Sequence, residues 1–559
     1  MSKRLAITIS GAVSLGSYEA GVLYEIIHAI GQHNQDPATT EAEKIFIDVL
    51  TGASAGGMTA TIAAQKLAFE AGALTGAHDN CFYRPWVADV SIDGLLAMQA
   101  SDDPTKSILS SQHVVDISKR YLTQRYQSHV DPVRDTHPAS APLIRLGLAL
   151  SNLNGIDYGL AIKPDKPDGT PNKFIYTRHQ DELVTWIEAD KPAIDDLEAF
   201  WEPLRNAAIS CGAFAFAFRV VDVHRDASEF ADRTNLETHI APNQSFAYTD
   251  GGTFQNEPLG LAKNLVDEID HHLDVANRFY LYVSPGAKTS TANSDFNAGK
   301  ANYRETALRL VASIFDQGRF QDWITAEHVN DKVALFNERA AELAKTLLDG
   351  SLKPGDLKPA TAALLPLLFA GNPDETLTDA RKRVATQFQL EYADLSKKDG
   401  QAAPDTSVAD IFVDTLLTLE TAANLATRDE MVIYGITADN SELASSELFA
   451  FAGFFDRQYR EHDYEVGRKK AQEFLKNPDK LGPIRFTPEP LGVIDPALDG
   501  LKLEKMDRAI REKIRDQIRD RSHEIMKEAG ITPWLIGGAV RDAIDLALIK
   551  PQLDKLLKL

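Results

Sequence analysis

The chain has 559 residues, with 59 Lys and Arg against 81 Asp and Glu, a net charge of −22, and 44% hydrophobic side chains. That charge excludes nonspecific attraction to nucleic acid and to strongly anionic membranes, so no nucleic-acid partner is expected. Cys81 and Cys211 are too few for a disulfide framework, and no run of about eighteen apolar residues is present, which points to a cytoplasmic protein that meets membranes at most peripherally.

Residues 5–9 form an apolar run that predicts a short buried strand. Lys3 and Arg4 before it could suggest a signal peptide, but Ser10, Ser14 and Ser17 break the apolar stretch, so it is read as part of the fold. Ser10-Gly11-Ala12-Val13-Ser14-Leu15-Gly16 is a loop of small residues, and Ala20, Leu23, Ile26, Ile27 and Ile30 then recur at helical spacing. A loop between a strand end and a helix start leaves backbone amides free to face an anion. That anion can be an oxyanion or a phosphate; Ala12 and Val13 stand where a dinucleotide fingerprint needs glycine, which disfavours the phosphate.

A second apolar run, residues 45–50, leads into Gly52-Ala53-Ser54-Ala55-Gly56 and then a helical pattern. Small neighbours allow the sharp strand-to-helix turn that exposes a nucleophilic serine; the bland alternative is a packing turn. Residues 102–140 and 163–173 read as excursions that shape a pocket. Apolar residues 92–98 and the aromatics of 213–218 are either a lipid-facing rim or core packing, of which packing is the simpler account. Asp250 ends a short strand-like stretch and precedes the Gly251-Gly252 turn, and residues 278–283 read as a last strand before a polar linker at Pro285-Gly286.

Beyond residue 300 the pattern is mainly helical, over 303–320, 329–348, 377–392 and 408–426, with breaks at 350–359 and 397–404. A helix over 501–529 carries Leu503, Met506, Ile510, Ile514 and Ile518 on one stripe, which suits packing by one face and is compatible with homo-oligomerisation or a membrane surface. Gly537-Gly538-Ala539-Val540-Arg541-Asp542 looks like the opening of a nucleotidyltransferase site but lacks paired carboxylates after it, so it is read as a glycine-rich junction. Nothing in the chain implies a metal or a cofactor.

With these residues on view, the chain resembles the patatin-like phospholipase family over roughly residues 4–285. The family shares a glycine-rich oxyanion loop, a Gly-x-Ser-x-Gly turn and a downstream Asp-Gly-Gly, in that order. The resemblance implies Ser54 as nucleophile, Asp250 as its base, and the amides of Gly11 and Ala12 as oxyanion donors, with Gly16, Gly52, Gly56, Gly251 and Gly252 supporting those turns. Tyr18, Gly21, Val22 and Leu23 fit the helix after the loop, and Asn256 and Pro258 fit the segment after the aspartate. The loop departs from the family pattern: Gly11-Ala12-Val13 replaces successive glycines, and the usual arginine is absent.

The implied fold is a three-layer α/β/α domain with a mostly parallel central sheet over residues 1–290, followed by a mainly α-helical region over 300–559. The implied activity is hydrolysis of lipid carboxylic esters by a Ser-Asp dyad without histidine, with lipid or phospholipid as partner. Two other readings stand beside it: an α/β-hydrolase triad, which needs His462 or His523, both expected at the surface, and a catalytically idle scaffold on the same fold.

Overall fold

In the computed structural model the chain is described except for residues 1, 125–134, 163–171, 189–196, 216, 232, 271–276, 287–295, 300, 302–305, 307–308, 311–312, 315–316, 319–320, 370–375, 400–406, 424–430, 449 and 529–549. It divides into two compact units. One comprises Met1–Val266, Arg278–Asp322 and Ile433–Leu559; the other comprises Asp267–Asn277 and Trp323–Val432.

The first unit is built on an eight-stranded sheet. Strand β1 (Lys3–Ile9) leads through a short loop to α1 (Gly16–Gln35), then β2 (Ile45–Gly52) and α2 (Ser54–Phe69). After the short helices α3 (Ile92–Leu96) and α4 (Ser111–Ser118) come β3 (Ser140–Ile162), β4 (Asn172–Glu188) and α5 (Leu197–Cys211). Then follow β5 (Val221–Arg225), β6 (Gln244–Asp250), α6 (Leu259–Asp270), β7 (Arg278–Pro285) and, far along the chain, β8 (Ile433–Ala438).

Strands β3, β2, β1, β7 and β8 run parallel in that order, and the helices complete the three-layer α/β/α arrangement. Parallel strands are covered on both faces, which is why 5–9 and most of 45–52 are continuously buried apolar runs rather than alternating ones. The buried Asp48 carboxylate takes both Nη atoms of Arg278, at 2.6 and 2.9 Å, and so links β2 to β7 across the central β1.

The expected 1–290 domain is extended in the structure by Ile433–Leu559. Residues 433–438 pair in parallel with residues 280–285 of β7, and the helix Arg457–Leu475 lies along α1. Gly21 abuts the Tyr464 carbonyl and Gly467 the Tyr18 carbonyl, so neither position has room for a Cβ. Between these helices the buried Arg468 meets Glu25 at 2.7 Å and Glu465 at 3.0 Å. A helix-dominated periodicity after residue 300 concealed this return, because one six-residue edge strand carries little pattern of its own.

The second unit contains the helices Pro354–Leu368, Leu377–Gln387, Gln389–Asp399 and Val408–Ala422 and most of Gln321–Asp349, around a core including Ala344, Leu365, Val384, Phe388, Phe412 and Leu416. The expected break at 350–359 contains a helix start: Pro354 occupies the first turn, where a missing N–H costs nothing. The single helix expected over 377–392 is two, interrupted at Phe388. The Arg383–Glu420 pair, at 2.8 and 3.0 Å, joins two of these helices.

Much of 303–320, most of 163–173 and all of 537–542 lie outside the described residues. The excursion at 102–140 is partly helical, with α4 inside it. The 501–529 helix runs Arg508–Glu528, and Ile510, Ile514 and Ile518 pack with Val90, Ile92, Leu95 and Phe454, so its apolar stripe is covered within the first unit.

Candidate active site

Backbone pairing brings the two distant site segments together. Strand β4 holds one edge of β3 continuously across residues 143–151, which leaves the other edge for both β2 and β6. β2 runs parallel to β3 and ends with Gly52 opposite Leu148; β6 runs the other way and ends with Asp250 opposite Leu150. The carboxyl ends of the two strands therefore meet head to head on one edge.

Ser54 opens α2 in the left-handed region, at φ 51°, after an extended Ala53. A non-glycine residue there is strained, and the turn survives because its neighbours are small. A Cβ on Gly52 would stand 2.5 Å from the Gly56 carbonyl carbon, and one on Gly56 would run into the Ile9 and Ser10 carbonyl oxygens. Both obstacles are backbone and cannot swing aside. Gly52→Ala or Gly56→Ala is expected to cost about 2–4 kcal/mol, read as a fall in Tm; an unchanged Tm would show that the turn relaxes freely.

Ser54 Oγ donates to Asp250 Oδ2 at 2.6 Å. The other carboxylate oxygen accepts the Gly252 N–H at 2.7 Å, while Ser151 Oγ donates to the Asp250 carbonyl at 2.7 Å and the Asp250 N–H to the Ala213 carbonyl at 3.0 Å. Asp250 is 1% exposed, and burial pushes its carboxyl up to about 7 against the opposing pull of the Ser54 and Gly252 hydrogen bonds. Gly251 abuts the Ala149 carbonyl, and a Cβ on Gly252 would be 2.6 Å from Asn256 Oδ1, so the Asp250 turn is closely packed.

The loop 10–16 lies beside the serine: a Cβ on Gly11 would be 2.9 Å from the Ser54 Cβ. Of the two amides expected to bind an oxyanion, Gly11 N–H is already engaged by the Asn256 carbonyl at 3.1 Å, and Asn256 Nδ2 donates back to the Gly11 carbonyl at 3.3 Å. Among the described residues the amides of Ala12, Val13 and Ala55 have no protein acceptor. Val13 sits at φ 53°, which a β-branched residue adopts only when its surroundings hold it there. Gly16 starts α1 against the Trp86 ring, 2.7 Å from where a Cβ would be.

An apolar cavity of about 110 Å³ opens at Ser54. Met58 and Ile62, one and two turns further along α2, line it with Trp86, Tyr121, Phe214 and Phe451 among others. Phe214 and Phe218 of the 213–218 stretch thus line the cavity, as does Leu95 of the 92–98 segment, while Ile92 is buried in the apolar cluster beside it.

His462 is buried rather than at the surface; its Nε2 lies 3.2 Å from the Glu442 carbonyl and 3.3 Å from Asp499. The His523 side chain lies outside the described residues. The group that receives the Ser54 hydroxyl is Asp250, as a Ser-Asp pair requires and a Ser-His-Asp triad does not. Among the described residues no cluster of His, Cys, Asp or Glu is arranged to hold a metal ion, and no helix is long and apolar enough to cross a membrane. Cys81 and Cys211 are buried free thiols.

The roles of three residues are not legible in the sequence. Asn256 is expected only as part of the segment after the aspartate, and its two hydrogen bonds to Gly11 appear only in the fold. Phe451 and Phe454 reach the cavity from the returning C-terminal segment, for which no local signal exists.

The site is thus an α/β/α sheet that presents a left-handed serine beside a buried carboxylate and an apolar cavity. Residues 7–263, a little under half of the chain, match the model of the patatin-like phospholipase family. The chain is also similar to the uncharacterized protein y4iI of Sinorhizobium fredii (strain NBRC 101917 / NGR234), 24% identical over 394 residues, which cover 57% of this chain and 54% of that protein. The match thus spans about half the length of this curated relative.

Proposed function

We propose that the protein is a serine lipid acyl hydrolase of the phospholipase A or lysophospholipase type, working through an acyl-enzyme on Ser54 during transient contact with a lipid surface. The observation that carries this reading is the 2.6 Å Ser54–Asp250 hydrogen bond at the mouth of an apolar cavity. Asp250 takes the hydroxyl proton as Ser54 Oγ attacks the ester carbonyl, and the tetrahedral oxygen is met by the amides of Ala12 and Val13, with Ala55 at the α2 N-terminus beside them. The proton passes to the departing alcohol, the acyl chain stays in the cavity, and water activated by Asp250 then releases the fatty acid.

A carboxylate is ordinarily too weak a base for a serine near neutrality. Burial raises the proton affinity of Asp250, and the hydrogen bond places it within transfer distance before substrate arrives. Because only the ionised form accepts the proton, kcat/KM on a soluble ester should rise with pH and level off above about 7. A profile flat from about pH 5 to 9 would remove Asp250 from the proton transfer.

The direct test is a fluorophosphonate probe followed by mass-spectrometric mapping. Covalent labelling at Ser54 that weakens in Asp250→Asn supports the dyad. A well-folded protein that takes no label, and releases no fatty acid from a panel of phospholipids and lysophospholipids, would leave this family fold as a scaffold.

A further inference from the structure

The loop that offers the free amides is held from outside the family-matched segment. Ser14 donates twice to the Ala450 carbonyl, through its N–H at 3.3 Å and through Oγ. Backbone strain gathers around this contact: Val13, Leu448 and Ala450 have φ of 53°, 56° and 64°, and Ser54 is at 51°. Such conformations persist only where surrounding structure holds them, and they collect at working sites.

The next residues line the substrate cavity. Phe451 meets Phe214 edge to face at 5.5 Å and Phe454 at 5.9 Å, and all three line the apolar space beside Ser54. Gly453 lies against Ser14 Oγ, with no room for a side chain. The segment is anchored by the buried Arg460, whose Nη1 donates to the Gly453 and Asp456 carbonyls at 2.6 and 3.1 Å. Its Nε and Nη2 donate to the Val87 carbonyl, next to the cavity residue Trp86, at 3.2 and 3.1 Å. One guanidinium thus ties the segment to the backbone beside Trp86.

We infer that residues 450–455 are a positioning strap for acyl transfer, Ala450 holding the oxyanion loop through Ser14 and Phe451 with Phe454 selecting the acyl chain. This rests on the hydrolase reading above. Ser14 is not among the residues that line the cavity, so it acts through the loop. Its two bonds to one carbonyl keep Val13 in the left-handed turn and so keep the neighbouring amides unspent, which matters for the transition state more than for ground-state binding.

The test is hydrolysis of p-nitrophenyl butyrate and decanoate by wild type, Ser14→Ala and Phe451→Ala, with active sites counted by exhaustive fluorophosphonate labelling. Ser14→Ala should lower kcat per labelled site by about 10- to 100-fold with KM for butyrate nearly unchanged. Phe451→Ala should lower the decanoate-to-butyrate ratio of kcat/KM by about tenfold, since the longer chain loses more apolar contact. A purely structural role would lower Tm and the number of labelled sites while leaving kcat per site and the chain-length ratio as in wild type, and that result overturns the strap. A wild type with neither Ser54 labelling nor ester hydrolysis overturns the hydrolase reading and the strap with it.

Discussion

Ser54→Ala is expected to abolish ester hydrolysis, by about 10⁴-fold or more, while leaving the fold in place. The substitution removes one oxygen and keeps the Cβ, so the left-handed turn, with Gly52 and Gly56 against backbone on either side, sees no new atom. What disappears is the oxygen at the cavity mouth that donates to Asp250 at 2.6 Å and that the proposed mechanism uses to attack the carbonyl. The measurement is release of fatty acid or p-nitrophenol together with circular dichroism and Tm. Activity retained above about one per cent of wild type, at unchanged KM, would place the nucleophile elsewhere.

Asp250→Asn should lose activity by about 10³-fold or more and gain stability at the same time. The folded-state pKa of Asp250 lies near 7, above the ordinary carboxylate value of an unfolded chain. Between those two values the folded state binds the proton more tightly, so the Asp250 contribution to stability falls as pH rises through this window. Above it, a buried charge is a standing cost.

Asparagine removes that charge and keeps the shape. Its Oδ1 still accepts the Gly252 N–H, and its amide donates to Ser54 Oγ, which can accept as well as donate. The expected gain is on the order of 1–3 kcal/mol at about pH 8, shrinking toward zero near pH 4. Thermal unfolding of wild type and variant at both pH values checks it. A variant less stable than wild type at the higher pH would mean that Asp250 is already neutral there or that its hydrogen bonds outweigh its desolvation.

The legible parts of this protein are those in which one short segment carries its own physics. The strand 5–9, the helix begun by Tyr18, Gly21, Val22 and Leu23, the strand 45–50 and the Ser54 turn could each be read from apolar periodicity and small-residue spacing. Each was found within a few residues of its expected place. Ser54 and Asp250, separated by 196 positions, were paired only through the family resemblance, since neither segment alone distinguishes a catalytic turn from a packing turn. The long β3–β4 pair, which flanks the expected excursion at 163–173, is not announced by the sequence pattern. Its register changes between Ser151 and Ile156, and Gly155 at φ 75° interrupts the strand pattern where a continuous alternation would have announced a hairpin.

By itself the sequence determined the two apolar strands, the small-residue turn at Ser54 and the net acidic charge, because backbone propensity, steric room and charge are local or additive properties; the fold class came through the family resemblance. The tertiary structure decided the rest. It brought β2 and β6 end to end on one edge of β3, committed the Gly11 amide to Asn256, and returned Phe451 and Phe454 to the cavity, anchored by Arg460, from a segment that had looked like part of a separate helical region. The physical reason is that a hydrogen-bond donor is free or spent, and a phenyl ring is core or cavity wall, only through what lies against it. In a sheet fed from both ends of the chain, those neighbours are hundreds of residues away.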